Sequence, residues 1–295
     1  MSLKQEPLKF QLNTALTQKI MRDYRGKGTW RRQKSATRLV EELEAFRKQF
    51  GRLDYVYWVD EVWMTQTSRL AEFSELYRRR IAVPFSVMER PECMTEEKVK
   101  LMAAAGLHLV AVGLESGDAS LRAKLLNRRT SQKQLEQAFL LPKKYGIRVH
   151  TFNMLGLPGQ DEKSMLETWK FLRRVSPDSA QFTIFFPLKG TKLYEQVIAQ
   201  GLYDEEQSDA LSSYYDSSPL KQIVIDGQRI KQYQRLFQRF ATQPGLWPAI
   251  QFHLARYSNW FYRLFITNLP WYRTQLATLR RQPWRERMRT LGRRR

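Results

Sequence analysis

The feature that most restricts the fold is an alternation. Five short apolar runs, Tyr55–Val59, Pro84–Met88, Leu109–Gly113, Val149–Met154 and Gln181–Phe186, are separated by segments with helical periodicity. The runs are too short for helices, and most are rich in β-branched or aromatic residues, so they read as strands. Between them Leu39, Leu43 and Phe46, and then Leu70, Phe73 and Tyr77, recur at spacings of three and four, which puts each set on one helical face. Lys98–Ala105 consists largely of good helix formers, Gln134–Tyr145 carries Leu135, Phe139 and Leu140, and Ser164–Arg174 aligns Met165, Trp169 and Leu172. Pro142 is expected to kink or break its helix. Thr95 is placed as an N-cap, and Gly51, Gly106, Gly146 and Gly201 each follow a helical stretch where a left-handed backbone suits glycine. Strands alternating with helices imply βαβ units and a parallel sheet, either open and doubly wound or closed toward a barrel.

In parallel α/β folds chemistry gathers at the carboxyl ends of the strands. The first run is followed by Asp60-Glu61, the second by Glu89-Arg90, the third by Leu114-Glu115-Ser116-Gly117, the fourth by Leu155-Gly156-Leu157-Pro158-Gly159, and the fifth by Pro187 and then Gly190-Thr191. Carboxylates and hydroxyls suit an amino group and ribose hydroxyls, arginine suits a carboxylate, and glycine lets a flat ring approach the backbone. The set matches an amino-acid-bearing nucleoside. It also matches a blander reading, in which strand ends are polar because loops are polar.

At these residues the chain resembles the radical S-adenosylmethionine enzymes, in the branch that often carries an N-terminal cobalamin-binding domain. The similarity extends from about Asn13 to Tyr203. It is strongest from Val112-Gly-Leu-Glu-Ser-Gly-Asp through Leu126-Asn-Arg, then from Tyr145-Gly-Ile through Phe152-Asn-Met-Leu-Gly-Leu-Pro-Gly, and it closes with Phe186-Pro-Leu-Lys-Gly-Thr-Lys-Leu-Tyr. The resemblance implies an α/β fold, a partial (β/α)6 TIM-like barrel lacking its first strand, that binds S-adenosylmethionine across its open rim. It implies that Asp60 and Glu61 receive the methionyl amino group. Glu115 and Ser116 would face the ribose or the methionine carboxylate, Leu155 and Gly156 would approach the adenine, and Arg90 would point toward cofactor or substrate. Complete relatives perform radical chemistry through a 5′-deoxyadenosyl radical, or methyl transfer through cobalamin.

The departure lies in the sulfur. The family holds a [4Fe-4S] cluster with a CxxxCxxC loop, and the register places those cysteines near Lys4, Leu8 and Gln11, where none occurs. The chain contains one cysteine, Cys93. One thiol makes neither an intramolecular disulfide nor the ligand set of a structural zinc or an iron–sulfur cluster. His108, His150 and His253 lack metal-ligand spacing, and structural roles are expected for His108 and His150, at or beside strand starts. Two explanations fit. The chain is the carboxyl-terminal part of a longer or split enzyme, its N-terminal half supplied by another chain, and is inactive alone. Or it is a degenerate barrel, a non-catalytic binding or scaffold protein.

Charge divides the chain further. The formal net charge is +21. Residues 1–225 contribute 35 basic and 27 acidic side chains, and residues 226–295 contribute 15 and 2. The expected organisation is a remnant of the segment after the cluster loop (1–34), a barrel (35–225), and a helical extension rich in aromatics and arginine (226–295). Leu246–Tyr272 holds nine aromatic residues, and Ile250, Leu254, Tyr257, Phe261 and Leu264 form a helical stripe with Arg256 and Arg263 off its line. Three readings compete: helices packing over the barrel, an interfacial membrane contact through residues 244–295, and nucleic-acid binding by Arg280 to Arg295. No recognised nucleic-acid motif supports the third, so nucleic acid is not an expected partner. There is no secretory signal and no run of about 18 uncharged apolar residues, so the expected location is cytoplasmic, with membrane association left open to the tail.

Overall fold

The computed structural model describes residues 33–60, 62–210, 217–221 and 224–267. Five strands pair in parallel and in chain order: β1 (Val56–Tyr57), β2 (Phe85–Glu89), β3 (Leu107–Glu115), β4 (Arg148–Leu155) and β5 (Ser179–Ile184). The sheet curls into a half-barrel, the partial TIM-like fold expected. Eleven helices accompany the sheet among the described residues: α1 (Ala36–Phe50), α2 (Thr67–Arg80), α3 (Glu96–Ala105), α4 (Ala119–Leu125), α5 (Gln132–Lys144), α6 (Glu162–Val175), α7 (Lys192–Ala199), α8 (Glu205–Ala210), α9 (Gly227–Phe240), α10 (Leu246–Tyr257) and α11 (Asn259–Tyr262).

Local chemistry sets the helix ends. Ser35, Thr95 and Asp161 each accept a hydrogen bond from the third residue beyond them, at the starts of α1, α3 and α6. Ser131 and Gln134 form a reciprocal capping box on α5. Gly51 and Gly106 terminate α1 and α3 in the left-handed conformation. Pro142 does not break α5, which runs on to Lys144. It sits in the last turn, so the helix ends two residues beyond it, and its ring is buried.

The two faces of the sheet differ. Along β4, Val149, Thr151, Asn153 and Leu155 are buried, whereas Arg148, His150, Phe152 and Met154 are half-buried. Val149 and Leu155 belong to the core shared with the helices, so the other four line the opposite, concave face. At one end of the core, Trp63, Tyr77 and Phe85 surround Phe73 with ring centroids 4.6, 4.9 and 5.9 Å away. At the other end, Trp169 of α6 stacks on Phe252 of α10 at 3.8 Å, and Phe237 of α9 lies 5.3 Å from Phe182 of β5. The C-terminal helices therefore share the barrel's core. They do so through Phe252 and Ala255, which are buried; of the stripe read from the sequence Phe261 packs against that core, Leu254 is half-buried, and Ile250, Tyr257 and Leu264 are exposed. That stripe is also interrupted at Ser258, which is extended.

The concave face carries two histidines. The Tyr55 hydroxyl lies 3.4 Å from His108 Nδ1, and His150 Nδ1 lies 2.7 Å from Ser179 Oγ. Burial pushes His150 down to about 4. Its folded-state value is therefore depressed below the ordinary 6.5, so the unfolded chain takes up the proton first as the medium is acidified. Beyond β3, Gly117 passes against α6, its N–H donating to Thr168 Oγ1 at 2.8 Å. A Cβ at Gly117 would fall inside the backbone of Glu167 and Thr168.

Two predictions follow from these contacts. Gly117→Ala should destabilise the fold by about 3 kcal/mol, because backbone and not a flexible side chain must yield; urea unfolding measures it. The native protein should lose up to about 3 kcal/mol of stability through His150 as the pH falls from 6.5 toward 4. His150→Gln should flatten that part of the stability–pH profile.

Candidate functional site at the carboxyl rim

Parallel pairing puts the carboxyl ends of all five strands at one end of the sheet. Asp60, just past β1, and Glu115, the last residue of β3, therefore share that end. The strongest construction there is built on Glu115. The pairing of β3 with β4 shifts register between Gly113 and Glu115, and Glu115 takes a left-handed backbone, φ 64°, a conformation with a steric penalty for a residue bearing a Cβ. Its side chain lies over Gly113: a Cβ there would come within 2.5 Å of Glu115 Oε1 and 3.2 Å of Arg128 Nη1. Arg128 donates to the Gly113 carbonyl at 3.1 Å and pairs with Glu115 at 3.2 Å.

The loop that presents Arg128 is tied from within. Arg122, 1% exposed, donates from Nη1 to the Ser116 carbonyl at 2.6 Å, while its own carbonyl accepts the Arg128 N–H at 3.0 Å. Its Nε and Nη2 have no hydrogen-bond partner. Burial depresses the Arg122 pKa, opposed by Asp118. Glu115 behaves in the complementary way. Burial raises its pKa above the ordinary carboxylate range, and Arg128 offsets only part of this. A carboxylate so desolvated, with one guanidinium beside it, gains from a further ammonium or hydroxyl donor, and the guanidinium suits an incoming carboxylate.

The other sequence-derived positions divide into four groups. Arg90 is exposed and pairs with Glu92 at 3.2 Å, and Glu92 accepts from Thr130 Oγ1 at 2.8 Å. This links Arg90 to the segment carrying Arg128. Asp60, at the same end, lines a cavity of about 280 Å³ with Lys34, Glu42, Trp58, Trp63 and Arg69. Glu61 lies outside the described residues, as do Lys4, Leu8, Gln11 and the arginines from Arg280 to Arg295. Ser116, Leu155 and Gly156 are buried, and their polar groups are engaged internally. Ser116 Oγ accepts from Asp118 N–H at 3.2 Å, and the Leu155 carbonyl accepts from Phe185 N–H at 2.8 Å. Gly156, at φ 74°, donates its N–H to Gln160 Oε1 at 2.8 Å. Gln160 also takes the Leu157 N–H at 3.3 Å and leaves its Nε2, buried, without a partner.

Sequence reasoning missed Arg128, Arg122 and Gln160. Arg128 lies within the Leu126-Asn-Arg stretch that carried the resemblance, but nothing in its spacing shows that it returns to Glu115. Near the end of β2, Glu89 is 3% exposed and accepts from the backbone of Trp63, Met64 and Arg90. Burial keeps its pKa raised even so. The Cys93 thiol is pushed up by burial and by Glu89, which keeps it protonated and a poor metal ligand. With one thiol in the chain, the donor set does not fit a [4Fe-4S] cluster. The Glu115–Arg128 pair does fit the amino-acid or ribose end of S-adenosylmethionine.

Comparison with known proteins places this rim in context. The chain is 26% identical over 169 residues to an uncharacterized methyltransferase of Pyrococcus horikoshii, covering 57% of this chain and 36% of that one. It is 23% identical over 218 residues to the cytidylyl-2-hydroxyethylphosphonate methyltransferase of Streptomyces wedmorensis, covering 70% and 40%. It thus spans less than half the length of either. Among solved structures, the radical S-adenosylmethionine methyltransferase TsrM of Kitasatospora setae aligns at a TM-score of 0.43 and 20% identity, covering 52% of this chain and 29% of that one. Residues 18–172 match the family described as the Radical SAM superfamily, a span that includes the Glu115–Arg128 rim and more than half of the chain, and the protein belongs to that superfamily.

Proposed function

We propose that this chain is an S-adenosylmethionine-binding half-barrel that does not generate the radical by itself. The observation that carries the reading is the Glu115–Arg128 pair, held over Gly113 at the carboxyl rim by a left-handed backbone and a buried arginine. Glu115 would accept from the cofactor's ammonium or ribose hydroxyls, and Arg128 would take its carboxylate. Arg90, linked through Glu92 and Thr130, would extend the cationic side of the rim. In relatives that hold a [4Fe-4S] cluster, reductive cleavage of the cofactor supplies a carbon-centred radical; a single, protonated thiol favours the view that this chain binds without that step. The thiolates would come from another polypeptide, or the barrel would serve as a binding protein. The relatives named as methyltransferases make methyl transfer the activity to look for in any reassembled enzyme.

Calorimetry with S-adenosylmethionine tests the site. Glu115→Ala and Arg128→Gln should each weaken binding about tenfold or more. Gly113→Ala should weaken it too while changing stability by under about 1 kcal/mol, because the added methyl meets the ends of flexible side chains. No heat at millimolar ligand, or full affinity in Glu115→Ala, would overturn the site. Anaerobic reconstitution with iron and sulfide should leave the chain far short of one cluster; about four irons per chain would refute the cluster-free reading.

A further inference from the structure

We propose that the outer face of α10 and α11 docks on an anionic lipid surface. α10 is apolar on two sides. Its inner side supplies Phe252 and Ala255 to the core. Its outer side, where a surface helix ordinarily carries polar residues, presents Leu246, Trp247, Ile250 and Tyr257, with Trp247 62% and Tyr257 74% exposed. Past Ser258 the row continues with Trp260 at 65% and Leu264 at 40%. Large aromatic and aliphatic side chains thus lie open along consecutive turns.

Charge selects the partner. Residues 227–267 contain six Lys and Arg, four of them on α9, and no Asp or Glu, and residues 268–295 add nine Arg and one Glu. On this face Arg263 is exposed beside Leu264, whereas Arg256 is buried, its guanidinium 4.1 Å from the centre of the exposed Tyr257 ring. A second copy of the chain on this face would bring two such cationic segments together, whereas phosphate headgroups neutralise them. The aliphatic members, Leu246, Ile250 and Leu264, have no ring to stack on a nucleobase but partition readily below headgroups. Indole and phenol groups favour the headgroup boundary itself. No helix of the described residues is long and apolar enough to cross a membrane, so the contact is in the plane of the interface. It stands independently of cofactor binding at the rim.

Flotation of the full chain with vesicles tests the surface, using phosphatidylcholine alone or mixed with phosphatidylglycerol. The chain should float with the mixed vesicles and not with the neutral ones, and added salt should weaken the association. The combined substitution Leu246→Ser, Trp247→Ser and Trp260→Ser should reduce binding about tenfold or more without moving the unfolding midpoint, since all three side chains are exposed. Brominated acyl chains should quench tryptophan emission in the parent and much less in the variant. Four results would overturn the proposal: no flotation, equal flotation of parent and variant, a dimer that the same substitutions dissolve, or a duplex oligonucleotide bound through these residues while vesicles are not.

Discussion

Parallel pairing of consecutive strands is the constraint from which the rest descends. It obliges each connection to return along one side of the sheet, so the helices collect on one face and the other is left concave. It also sends every carboxyl end to the same rim. Glu115, Arg90 and Asp60 are widely spaced in sequence, yet all lie at that end because β1, β2 and β3 run the same way. The histidines fall nearer the strand starts for the same reason, which is why His108 and His150 meet Tyr55 and Ser179 and not the rim residues.

At the rim, two opposing effects are held in balance. Burial works against ionising Glu115, and the left-handed backbone that aims it carries its own penalty. Arg128 opposes the first, and the Arg122 tie to Ser116 holds the loop that permits the second. Glu89 is also a buried rim carboxylate, but three backbone N–H groups already enclose it, so its hydrogen bonds serve the loop around Trp63. The difference between the two lies in their unfilled capacity: Glu115 has one charged neighbour where Glu89 has a full set of donors.

Much of this was legible before any coordinates, and the omissions have physical causes. All five strands occur where β-branched and aromatic runs predicted them, because a short apolar run flanked by polar residues has few other ways to be buried. Their ends differ: β3 reaches from Leu107 to Glu115, and β1 keeps only Val56 and Tyr57, since pairing partners and not composition decide where a ladder stops. Pro142 stands two residues from the end of α5, so the helix stops close to the proline without stopping at it. The stripe of Ile250, Leu254, Tyr257, Phe261 and Leu264 left the partner of that face undecided, and the structure divides it: Phe261 meets the core while Ile250, Tyr257 and Leu264 are exposed. α10 offers two apolar sides, and periodicity alone does not say which one meets Trp169. Glu115 was read from its place after a strand, whereas Arg128 and Gln160 act through turns that bring them back to the rim or the turn they support, and such returns leave no periodic trace.

Fold and chemistry separate at the sulfur. A half-barrel rim can be assembled from strand ends and a clamped carboxylate without any metal ligand, because its geometry is set by pairing and packing. Electron transfer into a bound cofactor is set by a donor set that no rearrangement of one thiol provides. Cys93 sits beside Glu89 in a setting that keeps it protonated, the opposite of what a thiolate ligand needs. Membership of the superfamily therefore accounts for the rim of this chain without accounting for a reaction. On the reading proposed above, a barrel without an iron would hold the cofactor's amino-acid end by charge alone. A desolvated carboxylate beside an arginine supplies both signs of charge at one place, which is what a zwitterionic end group requires.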